Sequence, residues 1–197
     1  MQTVLLLLST LIVSLGYLVY ITSILKGETK PHRTTRIVLL IITVVVFSSL
    51  LAQGNQTSIW LAGSSALLST IVFVLAMKYG MGGWTKLDIG CLLIALLAIV
   101  MWKITNNPTV ALFLSIGADF TGVLPTIFKV AKFPHTETWL FFAADMVAST
   151  LNLLAVRRWV LEEYAYALYL LLINTVIIFF IFKPLLLSKK ASRQEKS

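Results

Sequence analysis

Seven runs of about 20 mostly apolar residues, separated by gaps too short to fold on their own, constrain this chain more than any motif in it. They lie at roughly 2–25, 35–53, 57–79, 87–104, 108–130, 137–157 and 161–185. A helix rises about 1.5 Å per residue, so about 20 such residues cross a hydrocarbon layer about 30 Å thick. Lipid offers no partner to backbone N–H and C=O groups, so each run is predicted as a helix. Composition points the same way. Of 197 residues 58% are hydrophobic and 12% charged, against roughly a quarter charged in a typical soluble domain, and the mean hydropathy is +0.92. The expected fold class is an all-α integral membrane protein with seven transmembrane helices. The first run follows no basic stretch and contains no small-x-small cleavage site, so it is expected to stay as an anchor.

The net charge is +8, but the basic residues sit in the gaps between runs and in the last ten positions. That placement marks membrane topology and excludes a nucleic-acid partner. Lys26, Lys30, Arg33, Arg36, Lys78, Lys86, Lys129, Lys132, Lys183, Lys189, Lys190, Arg193 and Lys196 fall on one side of the seven-span arrangement, 13 in all. Lys103, Arg157 and Arg158 fall on the other. The positive-inside rule makes the 13-residue side cytoplasmic, with the N-terminus outside and the C-terminus inside. The single cysteine, Cys91, lies within an apolar run and reads as a structural thiol.

The chain carries an internal repeat. Offset by 103 positions, GYLVYITSILKGETKPHRTTR (16–36) aligns with DFTGVLPTIFKVAKFPHTETW (119–139). Ile24/Ile127, Lys26/Lys129, Pro31/Pro134, His32/His135 and Thr35/Thr138 are identical. Each segment covers a helix end, a short basic loop and the next helix start. The third run of each half ends at a lysine, Lys78 or Lys183, leaving the fourth run unpaired. An odd linker helix gives both units the same orientation, so they are expected as parallel repeats about an axis along the membrane normal. The predicted organisation is 3+1+3: a first bundle at 1–80, a linker helix at 81–107, a second bundle at 108–187 and a basic tail at 188–197.

Two three-helix bundles joined by one helix, with LPTIFK (124–129) closing the fifth run, resemble the PQ-loop superfamily, which includes SWEET sugar transporters and cystinosin-like carriers. The family motif is a Leu-Pro-Gln-Ile-x-Lys-like run. Pro125, Ile127 and Lys129 match it, Thr126 stands in place of Gln, and in the first half only Ile24 and Lys26 remain, with Thr22 at the proline position. The resemblance implies transport by alternating access. SWEET proteins are thought to rock about prolines in four helices, whereas only Pro125 is present here. Pro125, with Gly16 and Gly122, is the candidate hinge set, and Gly117 is a further flexible or close-packing position.

Ionisable side chains at membrane depth are costly and mark candidate sites. Asp119 lies ten residues from Lys129, Asp145 eight from Glu137 and Asn174 nine from Lys183. At helical rise these place all three about 12–15 Å deep, one on each helix of the second bundle. The same depth in the first bundle selects Gly16, Thr43 and Ser69 or Thr70. The expected pocket binds a small polar solute through Asp119, Asp145 and Asn174 with Thr43, Ser69 and Thr70, and Asp119 and Asp145 are the candidate proton-coupling groups. The structural alternative is that each acid holds helices together.

His32 and His135 suggest a repeated turn. Arg157, Arg158, Glu162 and Glu163 suggest a solvated rim, and Tyr164, Tyr166, Tyr169, Trp60 and Trp159 an interfacial aromatic belt or, for the two tryptophans, a stacking surface. The tail is expected to meet anionic lipid headgroups. No metal-ligand spacing, nucleophile elbow or phosphate-binding glycine loop occurs, so neither enzymatic activity nor a cofactor is expected. The leading expectation is a transporter in a bacterial inner membrane; a ligand-binding or sorting receptor and a structural or assembly protein are the rivals. Two repeats in one chain make a pocket without a second subunit, and leave a homo-oligomer open.

Overall fold

The apolar runs form helices, broken where glycine, proline and charge interrupt them. The computed structural model describes residues 2–52, 58–104, 108–156 and 159–194. Its helices are α1 (Gln2–Leu25), α2 (Arg33–Ala52), α3 (Ser58–Tyr79), α4 (Lys86–Ile104), α5 (Pro108–Lys132), α6 (Trp139–Leu154) and α7 (Leu161–Gln194), with a single 3-10 turn (Pro134–Thr136) between α5 and α6. Among the described residues the only β pairing is one bridge between His32 and Met81, so the protein is all-α. Among the described residues two segments, Gln2–Leu25 and Tyr164–Pro184, are long and apolar enough to cross a membrane. Two shorter apolar stretches, Ser65–Tyr79 and Trp139–Leu154, stand beside them among the described residues, the latter being α6 with 16 residues, about 24 Å of rise.

Packing follows one pattern twice. Among the described residues the backbones of α1 and α2 each pack closely on α3, and those of α5 and α6 on α7, whereas α1 meets α2, and α5 meets α6, through side chains alone, as where Arg36 stacks on Tyr20 and Val123 shares a core with Phe142. The two groups meet through α1 with α6 and α2 with α5, which are equivalent pairs under the exchange of halves. Helix α4 lies against α5 and α2. Close approach at both junctions is made by glycine. A Cβ on Gly16 would fall 2.8 Å from the Cβ of Ala144 on α6, and one on Gly122 2.4 Å from Cγ1 of Val38 on α2.

The loops 26–32, 80–85 and 133–138 are stitched together at one end of the bundle. Lys30 N–H donates to the Thr136 carbonyl at 2.8 Å, and Met81 N–H to the Pro31 carbonyl at 3.0 Å. Thr85 caps α4 reciprocally with Asp88: its hydroxyl donates to Oδ2 at 2.7 Å and accepts the Asp88 N–H at 3.2 Å. Polarity is inverted relative to a soluble protein. Leu7, Leu11, Leu67, Leu93, Leu97 and Leu172 are exposed on the outside, while Arg36, Asp119, Lys129, Glu137 and Asn174 are buried.

Candidate functional site

Side chains from α5, α6 and α7 converge as the depth count predicted. Asn174 Nδ2 donates to Asp145 Oδ2 at 2.7 Å and to the Leu170 carbonyl at 2.8 Å. Asp119 Oδ2 accepts the Tyr169 hydroxyl at 2.6 Å. All three polar residues, together with Thr43, line one cavity of about 270 Å³ between the two helical groups. The Thr43 hydroxyl itself is turned to the Leu40 carbonyl, 2.9 Å away.

The remaining predicted positions fall elsewhere. Ser69 is buried and Thr70 is exposed, bonded to the Ala66 carbonyl at 2.7 Å, and neither lines this cavity. Ser65, one turn before Ser69 on the same stripe of α3, lines it instead. The candidate hinge residues Gly16 and Gly122 occupy the two close helix crossings described above. Pro125 is fully buried inside α5, which continues through it although the ring removes one helical hydrogen bond.

Several lining residues were not among the sequence candidates. Tyr17, Thr35, Arg36, Thr126 and Tyr166 all border the cavity. By sequence Arg36 reads as a loop charge, and Tyr166 and Tyr169 as interfacial aromatics. The sequence signals nearest this set are Thr35, an identical position of the repeat, and Thr126, at the Gln position of the PQ-loop-like run. Arg36 is 5% exposed, and its Cζ lies 4.5 Å from the centre of the Tyr20 ring and 5.4 Å from that of Phe141. Its Nε has no hydrogen-bond partner, and among the described residues no carboxylate forms an ion pair with it.

Polar pairs close the end of the cavity that faces the stitched loops. Thr126 bonds Thr35 hydroxyl to hydroxyl at 2.9 Å. Beyond it, buried Lys129 pairs with Glu137 and donates to the Lys30 carbonyl at 2.6 Å. Tyr20 donates to the other Glu137 oxygen at 2.8 Å. Toward the opposite end lie two further cavities, one sharing Tyr17, Ser65 and Asp145 with the first and both bordered by Leu6, Ser149 and Asn152. Tyr166, 37% exposed, lines all three.

No protein-family model matches this chain, and comparison with curated proteins and with solved structures likewise gives no match. The geometry alone therefore carries the functional argument.

The two repeat-related histidines differ in surroundings. His135 is exposed on the 3-10 turn, whereas His32 is buried with Nε2 3.4 Å from Asp88 Oδ1 and Nδ1 unpartnered. Gly82 makes room for it, since a Cβ there would lie 2.3 Å from His32 Nε2, and its φ of +69° favours glycine in any case. Burial lowers the His32 pKa below its ordinary value of 6.5; Lys129 and Arg33 reinforce the shift, while Asp88 and Glu137 oppose it. Cys91 is buried. Among the described residues no group of three His, Cys, Asp or Glu is placed to hold a metal. Trp159 is exposed, its ring 5.7 Å from that of Tyr164. Arg157 and Arg158 lie outside the described residues, as do the side chains of Trp60, Glu162, Glu163 and the basic tail.

Proposed function

We propose that this chain is a seven-span membrane carrier of PQ-loop-like architecture that moves a small polar solute by alternating access. The observation that carries the reading is a cavity lined by Asp119, Asp145 and Asn174 between two similarly packed three-helix groups, with polar pairs at one end and a second cavity that shares its walls toward the other. The apolar outer surface supports a lipid environment, because large exposed apolar area on a chain with buried charges suits hydrocarbon rather than water. Charge distribution supports the orientation: the shut end lies beside the basic loops and so faces the cytoplasm, in a bacterial inner membrane, with the N-terminus outside. On this reading the conformation is outward-facing. The Lys129–Glu137 pair and the Thr35–Thr126 bond form the inner gate, and Asp119 and Asp145 are the groups that exchange protons with the medium.

The test is uptake into proteoliposomes from a panel of neutral L-amino acids, sugars and polyols, with and without an imposed proton gradient. Uptake of at least one solute, reduced in Asp145→Asn and Asp119→Asn and raised by an inward proton gradient, is expected. Binding without uptake turns the reading toward a sorting receptor. Neither binding nor uptake, with both variants merely less stable, identifies the acids as packing elements and ends the carrier reading.

A further inference from the structure

The cavity holds charges of both signs that do not neutralise each other. Arg36 borders it near the shut end, and Asp119 and Asp145 border it deeper in the bundle, yet no ion pair joins them. A guanidinium buried to 5% exposure without a direct ion pair is costly, because the faces of Tyr20 and Phe141, a hydrogen bond with Tyr20 and the charge of Glu137 farther off repay only part of its lost hydration, and Nε stays without a partner. The carboxylates are differently placed, each held by one neutral donor, Tyr169 or Asn174, which leaves acceptor positions free on both. Phe141, under the guanidinium, is four residues before Asp145 on α6, so about 6 Å of helical rise separates the two levels. Tyr17, on the wall of the same cavity, is within Coulombic range of Arg36, Asp145 and Asp119.

We propose, resting on the carrier reading above, that the solute is a short zwitterion of the α-amino-acid type. Its carboxylate is taken by the Arg36 fork, which suits bidentate acceptors, and its ammonium by Asp145 and Asp119. The size fits: about 270 Å³ falls just below the range of about 300–1,000 Å³ that holds drug-sized ligands. Leu39, Ile42, Val123 and Ile173 supply an apolar wall, so the side chain is aliphatic rather than charged. An uncharged sugar would leave the guanidinium and both acids unpaired, and a simple amine or carboxylate would satisfy only one pole.

The test compares L-leucine with 3-methylbutylamine, which lacks the carboxylate, with 4-methylpentanoate, which lacks the ammonium, and with glucose, by calorimetric binding to the full chain in lipid nanodiscs. L-Leucine or another neutral L-amino acid is expected to bind at least about tenfold more tightly than its amine and its acid. Arg36→Gln should erase the preference over the amine while leaving amine binding, and Arg36→Lys should restore part of it. The ligand comparison needs no variant, so misfolding of Arg36→Gln leaves the proposal testable. Glucose or the amine binding as tightly as any amino acid overturns the zwitterion assignment and leaves the carrier reading standing. No binding and no uptake of any probe ends both.

Discussion

Lys129 and Glu137 illustrate how a residue's meaning changes with burial. Both are nearly sealed from solvent, and their charges are matched by each other, by Tyr20 and by a backbone carbonyl. Removing one partner strands the other, so Lys129→Met or Glu137→Gln alone should lower unfolding stability by about 3–5 kcal/mol. The double variant should recover most of that loss, because no unpaired charge remains. Chemical unfolding in detergent checks this, and additive losses in the double variant would show that the two groups do not act as a pair. Tyr169→Phe removes a single hydrogen bond to Asp119. A smaller loss, about 1 kcal/mol, is expected from it in the same assay.

At the scale of elements, helix crossings and loop contacts set the geometry around the cavity. The α1–α6 junction has no room for a methyl group at Gly16. Gly16→Ala should cost about 1–3 kcal/mol, and Ala144→Gly should restore part of it by vacating the opposing Cβ. Gly90, with open space around its Cβ position, is the control, and alanine there should be neutral or stabilising. If both substitutions behave alike, close packing is not the role of Gly16. The α1–α2 and α3–α4 loops meet at His32, whose pKa is lowered mainly by burial. The unfolded chain therefore binds the proton more readily than the folded one, and stability is full above the ordinary pKa of about 6.5 and falls on acidification below it. Thermal unfolding at about pH 7.5 and about pH 5.5 should show an acid-induced loss that is smaller in His32→Gln, and equal losses would assign the effect to other groups.

The whole molecule predicts an asymmetry between its ends. In a Cys91→Ser background, cysteine at half-buried Asn152, beside the cavities away from the basic loops, should react on the carrier reading with a membrane-impermeant maleimide added outside oriented vesicles. Cysteine at Val130, fully buried on α5 one turn beyond the Thr35–Thr126 contact, should stay protected from the same reagent. Labelling of Val130→Cys at the same rate as Asn152→Cys would contradict a closed inner end.

The helices were legible along the chain, and so was the common level at which Asp119, Asp145 and Asn174 meet on α5, α6 and α7. Each of these follows from distance along the chain, which a constant helical rise converts into height. Rotation was not legible in the same way, because helices apolar on every side carry no stripe to show which face turns inward. Only tertiary packing decided that Ser65 rather than Ser69 meets the cavity, that Tyr169 reaches Asp119 rather than an interface, and that Lys129 and Arg36 are buried rather than marking a loop. A buried pair is chosen by what lies across a crossing between distant segments, such as Tyr20 and Glu137, 117 positions apart. One-dimensional order holds no record of that neighbour.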